Sequence, residues 1–278
     1  QSYGPFDHVL VRIIARHEFL NLPCIMCRGD ISARNCSAIV PEKNVYSFPD
    51  VATVLNPASE EWVAPFLTKY HLKSGDFIVL SPSAVIYGLP TAEGTSLGKN
   101  HIAVFSNLVN HFTKLGTPVI FVPHTTSPNL NECDRYVSDR ILATLGHVDL
   151  PSDMCQVIRE ELDCKQLKAV IGASRFAVVS RYHALVAALS SGVPVVSLGW
   201  NDKYQDLLNF YTNGDCAVDS RSGPPDMVTE QIIVKLHQWD AERRDEMVKR
   251  QNDVDAMVRR SIKLCAEWIT RQTEERDG

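Results

Sequence analysis

The sequence predicts an α/β protein of two Rossmann-like lobes, the first incomplete at its N-terminus, followed by a long C-terminal helix. Three observations lead there. At 278 residues the chain exceeds the size at which one hydrophobic core usually stops growing, so two packed lobes with a crevice are expected. From about Phe77 short apolar runs alternate with amphipathic stretches, the pattern of strand-helix-strand units in a parallel sheet. Near the C-terminus Met247, Val254, Val258, Ile262, Cys265 and Ile269 recur at helical spacing among charges of both signs, which describes a solvated amphipathic helix packing back on the lobes.

Residues 9–16 read as a helix, 23–27 as a strand, and Ser32 as the cap of a short helix, with an apolar stretch before Asp50. These are too few strands for a covered parallel sheet, so part of the first lobe is expected upstream of Gln1. Strands at 77–81, 118–122, 155–158, 176–180 and 193–198 then alternate with helices at 98–115, 133–145, 164–171 and 182–191, and a helix at 228–239 follows Gly223-Pro-Pro225. Gly116 and Gly192 each stop a helix ahead of a strand that has proline near its start. The expected division is a partial N-terminal lobe over 1–70, a second lobe carrying the candidate site over 71–240, and the helix over 241–278.

With 45% hydrophobic and 22% charged residues the chain is of globular type, which excludes disordered, collagen-like and repeat-dominated classes. A net charge of -5 supplies no basic field for nucleic acid or an anionic membrane, so an anionic ligand must be held locally. No apolar run approaches the ~20 residues that span a bilayer, and no signal peptide opens the chain, so no integral membrane segment is expected. The eight cysteines are scattered as reduced thiols are, which fits a cytoplasmic location. Cys24-Ile-Met-Cys27 has the spacing of a redox pair or half a zinc site. No second such motif completes it, so the plainer reading is two strand residues facing a core, with no metal.

The densest chemical signal is Val178-Val-Ser-Arg-Tyr-His-Ala-Leu185, where a buried strand gives way to a helix. At the carboxyl end of a parallel strand side chains face the ligand crevice, and the next helix presents free N–H groups there. Arg181 offers a planar fork for a carboxylate or phosphate and His183 a proton carrier, so together they read as an anion site with a general acid/base. No Asp or Glu lies within seven residues of the pair to claim the arginine locally, which leaves only a distant partner. Arg28 follows the strand at 23–27 and could face Arg181 across the crevice, or could form a surface ion pair. His124 and Lys203 follow two further strands on the same rim. His124 could instead bond only its own loop, and Lys203 could be a solvated charge opening a helix. The turn at 81–88 matches neither dinucleotide nor P-loop fingerprints, and the other histidines, His101 and His147 among them, receive no role.

At these residues the chain resembles the polysaccharide pyruvyl transferase family over most of its length. The likeness rests on Gln1-Ser-Tyr-Gly-Pro5, Cys27-Arg-Gly-Asp-Ile-Ser32, Pro49-Asp-Val-Ala52, Ser180-Arg-Tyr-His-Ala184 with Gly192-Val-Pro-Val195, and Lys203. It departs from the pattern at Gly29, where the family usually has an acidic residue. The resemblance implies a glycosyltransferase-B-like fold and transfer of a pyruvyl group from phosphoenolpyruvate to two sugar hydroxyls as a cyclic ketal, in exopolysaccharide biosynthesis. The acceptor would be a saccharide or lipid-linked saccharide, with no cofactor beyond the donor substrate. By motif match Arg181 and Arg28 would hold the donor and His183 would be the acid/base, with His124, Lys203 and Ser32 as weaker candidates. Two other classes fit the same lobes: a nucleotide-sugar glycosyltransferase and a non-catalytic glycan-binding module. The first usually places acidic residues in the second lobe, and 180–198 contains none.

Overall fold

Along the chain of the computed structural model come α1 (Val9–Leu20), β1 (Ile25–Cys27), α2 (Asp30–Ser37), β2 (Val45–Ser47), α3 (Glu60–Lys69), β3 (Ile78–Ser81), α4 (Ala84–Gly88), α5 (Leu97–Lys114) and β4 (Val119–Phe121). They are followed by α6 (Asp134–Thr144), β5 (Cys155–Val157), α7 (Cys164–Gly172), β6 (Phe176–Val179), α8 (Tyr182–Ser190), β7 (Val195–Gly199), α9 (Asp202–Phe210), β8 (Ala217–Asp219), α10 (Pro225–His237) and α11 (Ala241–Asp277). The structure describes residues 2–88, 97–145, 151 and 153–277, with side chains through residue 270. Gln1, the first residue of one quoted motif, and His147 lie outside the described residues. The chain forms two compact units: Gln1–Val54 with Asn201–Gly214 and Lys249–Gly278, and Leu55–Trp200 with Asp215–Val248.

The second unit is built on a six-stranded sheet in the order β5-β4-β3-β6-β7-β8, every neighbouring pair parallel. The chain works outward from β3 through β4 to β5, then returns to β6 on the other side of β3. That reversal is the doubly wound order, whose ligand crevice lies beyond the carboxyl ends of the two strands where the order switches. β3, β4 and β7 are buried along their whole length, which is why they read as unbroken apolar runs and why helices must cover them. α5 does so with Leu97, His101, Val104, Phe105, Leu108, Val109 and Phe112 on its inner face, at the i, i+3, i+4 spacing of one helical stripe. α8 is apolar on nearly every side and buries Tyr182 and Ala184 through Leu189. α7 opens with a capping box in which the Asp163 carboxylate takes the Lys165 and Gln166 N–H groups and the Gln166 side chain returns to the Asp163 N–H. Gly192 ends α8 with φ +70°, a conformation that a side chain would strain before the strand resumes.

In the first unit β1 and β2 pair in parallel, with Ile25, Met26 and Cys27 opposite Val45, Tyr46 and Ser47. Phe19, Ile25, Cys27, Cys36, Ile39 and Val40 form its core, and the rings of Tyr3 and Phe6 meet Phe19 edge-on. The stripe read along α11 holds in its first part, where Met247, Val254 and Val258 are buried, but Ile262, Cys265 and Ile269 are exposed. The α/β fold and the long C-terminal helix are as expected, whereas several short elements leave little pattern in the sequence. β2 and β8 have only three residues each, α3 runs unbroken through Pro65, and α9 hides a regular Tyr204, Leu207, Leu208 face within nine residues. Among the described residues no helix is long and apolar enough to cross a membrane.

Candidate functional site

In the second unit the residues flagged at 181 and 183 stand at the switch between β3 and β6. Ser180 N–H bonds to the Ser81 carbonyl (2.8 Å), which carries the β3-β6 pairing up to the point where Arg181 leaves the sheet. Arg181 is the N-cap residue of α8 but uses its side chain elsewhere. Its Nε and Nη2 reach Asp134 Oδ2 and Oδ1 at 2.8 and 2.5 Å, a side-on pair in which the arginine side chain is 18% exposed and the aspartate fully buried. The distant partner left open by the sequence is therefore Asp134, the first residue of α6. Its carboxylate also accepts the backbone N–H groups of Ala84 (2.9 Å), His124 (3.2 Å) and Thr125 (2.9 Å).

His183 occupies the second position of α8 and is exposed, its ring edge-on to Tyr182 at 5.6 Å. His124 follows β4 and does more than close its own loop. Its Nδ1 lies 3.2 Å from the buried Ser81 hydroxyl and 3.3 Å from the Val122 carbonyl. Burial pushes the His124 ring down to about 4; Asp134 and the Val122 carbonyl oppose that shift, while His183 and Arg181 add to it. The charge coupling places His183 and His124 in the same neighbourhood.

His101, given no role above, belongs to the same cluster. Its Nε2 accepts the Ser83 N–H (3.1 Å), which assigns the proton to Nδ1, an atom with no partner among the described residues. Burial, reinforced by the Arg181 charge, lowers this ring to about 3. A histidine on an apolar helix stripe reads as core, so only its placement on α5, directed at the loop after β3, could have marked it.

The buried His101 ring and the half-buried His124 ring both stay neutral in the folded protein near neutral pH, whereas each takes up a proton near pH 6.5 when unfolded. Below that pH the unfolded state holds more protons, so their contribution to stability is complete above about pH 6.5 and is lost as the pH falls to about 4 for His124 and about 3 for His101. The slope is about 1.4 kcal/mol per pH unit for each ring. Thermal melts at pH 7.5 and 5 should differ by several degrees, and His101→Gln should shrink that difference. An equal melting temperature at both values would rule this out.

The first unit carries a separate cluster. Arg28 follows β1, and its Nη1 bonds Asp50 Oδ2 at 2.7 Å, so the ion-pair alternative is realised within the quoted motifs. Its Nε and Nη2 lie 3.4 Å from the Ser2 hydroxyl. Ser32 does not cap a helix: α2 starts two residues earlier, and the Ser32 hydroxyl accepts the Tyr3 N–H at 3.1 Å. The free N–H groups of Ile31 and Ser32 go instead to the carboxylate of Asp206 on α9, at 2.7 and 3.3 Å. This accounts for Gly29, which has φ +125° and where a Cβ would lie 2.2 Å from Asp206 Cγ. Lys203 opens α9, with Nζ 5.3 Å from the centre of the Tyr204 ring.

Cys24 and Cys27 do not act as a pair. Cys27 is buried with its sulfur 3.6 Å from Cys36 Sγ, a contact that raises the Cys27 thiol, and Cys24 is only half-buried. Among the described residues no group of three or more His, Cys, Asp or Glu side chains is arranged to hold a metal ion.

Comparison with known proteins agrees with the architecture. The family described as Polysaccharide pyruvyl transferase matches residues 1–202. No curated protein sequence matches significantly. Among solved structures the chain is similar to an alpha,alpha-trehalose 6-phosphate synthase from Burkholderia multivorans, with TM-score 0.60, 12% identity, and coverage of 99% of this chain and 65% of that one. A UDP-forming alpha,alpha-trehalose-phosphate synthase from Burkholderia vietnamiensis gives 0.60 at 13% identity, covering 94% and 64%. The N-terminal domain of Candida albicans trehalose-6-phosphate phosphatase gives 0.55 at 12%, covering 90% and 59%. The chain thus spans less than two thirds of these synthases' length, and the likeness shows the glycosyltransferase-B-like fold alone.

Proposed function

The chain belongs to the polysaccharide pyruvyl transferase family, and on that premise we propose that it moves a pyruvyl group from phosphoenolpyruvate to two hydroxyls of a sugar, forming a ketal on a cell-surface glycan or its precursor. The observation that carries this reading is the placement of Arg181 and His183 together at the carboxyl end of β6, at the switch point of the sheet. Phosphoenolpyruvate carries a carboxylate and a phosphate on one small frame, so a guanidinium beside a helix N-terminus suits one of its anionic groups. His183 is the group with access to the reacting carbon: it donates a proton to the methylene carbon of the donor while a sugar hydroxyl bonds to the neighbouring carbon. The carbon–oxygen bond to phosphate breaks, phosphate leaves with the bonding pair, and a second hydroxyl closes the ketal. The two hydroxyl protons return to the imidazole and to the departing phosphate. His124, neutral at physiological pH and beside Ser81, is assigned to hydrogen bonding in this cluster and not to charge. Arg28 and Lys203 carry proposed binding roles on the family likeness, each open to its own substitution.

Isothermal titration distinguishes the readings. Heat with phosphoenolpyruvate and none with uridine diphosphate sugars is expected. The reverse result would replace this proposal with a nucleotide-sugar glycosyltransferase, and silence with both, alongside binding of a glycan, would replace it with a non-catalytic module.

A further inference from the structure

Asp134 entered neither the motif reading nor the family likeness, yet it is the most heavily bonded side chain of the cluster. Its carboxylate is fully buried and takes the N–H groups of Ala84 from the start of α4, of His124 and Thr125 from the loop after β4, and the Nε and Nη2 of Arg181 just beyond the end of β6. A carboxylate offers about four lone-pair positions, so these donors saturate it and leave nothing with which to act on a substrate. Three of the five donors are backbone groups, one at the start of α4 and two in the loop after β4. They hold the carboxylate, and the carboxylate in turn holds one edge of the guanidinium. The remaining nitrogen, Nη1, has no partner among the described residues.

We propose that Asp134 is a positioning residue that clamps the Nε–Nη2 edge of Arg181 to the backbone segments that follow β3 and β4, so that Arg181 meets the donor's anionic group through Nη1 alone. This rests on the donor reading given above. The pairing also cancels the formal charge of Arg181, so the anion is chosen by direction more than by net positive charge.

The test is a double-mutant cycle on the full chain, read by phosphoenolpyruvate titration. Asp134→Asn should weaken binding about tenfold when Arg181 is present and less than twofold in an Arg181→Gln background, the coupling expected of side chains in contact. A purely structural role would give the same loss in both backgrounds and would overturn the proposal. Nitrogen-15 spectra provide a readout without substrate. The Arg181 Nε–H signal, assigned by its loss in Arg181→Lys, should be sharp and slow to exchange in the unaltered chain and broadened in Asp134→Asn. An unchanged signal would equally overturn the clamp. If the unaltered chain does not bind phosphoenolpyruvate, the donor reading fails and the spectrum alone decides on the clamp. Should Asp134→Asn not fold, Asp134→Glu, which displaces the carboxylate by one methylene, is expected to give the same pattern in both measurements.

Discussion

His183→Ala is expected to lower turnover by about 10²–10⁴-fold while phosphoenolpyruvate affinity changes by less than about threefold, because positioned proton transfer contributes to the transition state and little to donor binding. The structure makes this a clean experiment. His183 is exposed on the first turn of α8 and its ring contact is to the adjacent Tyr182, so alanine, the best helix former, can replace it without opening a cavity. The melting temperature should stay within about 2 °C, as for substitutions away from packed features. Release of inorganic phosphate in the presence of a sugar acceptor measures the rate, and titration measures the affinity. A variant that kept turnover within twofold would remove His183 from the chemistry and leave the cluster with no exposed acid.

Arg181→Ala should behave differently, losing stability and donor binding together. Removing one member of a buried ion pair leaves the other uncompensated at a typical cost of about 3–5 kcal/mol. Asp134 retains its three backbone donors, so the lower end of that range is expected. For a protein of this size that corresponds to a melting temperature lower by roughly 6–12 °C. Donor affinity should fall at least about tenfold, as when a charged hydrogen bond to a ligand is deleted. Arg181→Lys should recover part of the stability but not the side-on geometry, since an ammonium has no fork to share between Asp134 and an anion. Calorimetric melting and titration on the same samples separate the effects. A stable Arg181→Ala protein with normal affinity would argue that the ion pair is incidental.

Much of the second unit could be read from its residues because its inner strands are buried on both faces. Ile78–Ser81, Phe176–Val179 and Val195–Gly199 have no polar alternation to confuse with a helix, and the long α5 repeats its apolar stripe over several turns. Arg181 and His183 were visible because a strand end, a helix start and two chemically versatile side chains fall within a few residues. Their partners were not. Asp134 stands at the head of a helix, where an acidic residue is ordinary, and its link to Arg181 spans 47 positions with nothing in the local pattern to announce it. The same holds in the first unit, where the Arg28–Asp50 pair could at least be suspected from neighbouring motifs but the capping of α2 by Asp206 could not. Ser32 misled because a serine shortly before a helical run is the usual cap signal, whereas here the hydroxyl receives the chain's N-terminal segment.

The fit between Gly29 and Asp206 carries a mutational consequence. A methyl group at 29 would collide with the carboxylate that closes α2, and the carboxylate cannot retreat without stranding two amide hydrogens. Position 29 is thus open to a larger residue only in a background where 206 has first become smaller, and the order of the two changes matters. A sequence in which 29 bears its own acidic group would be expected to supply the missing negative end locally and to have lost the need for one at 206.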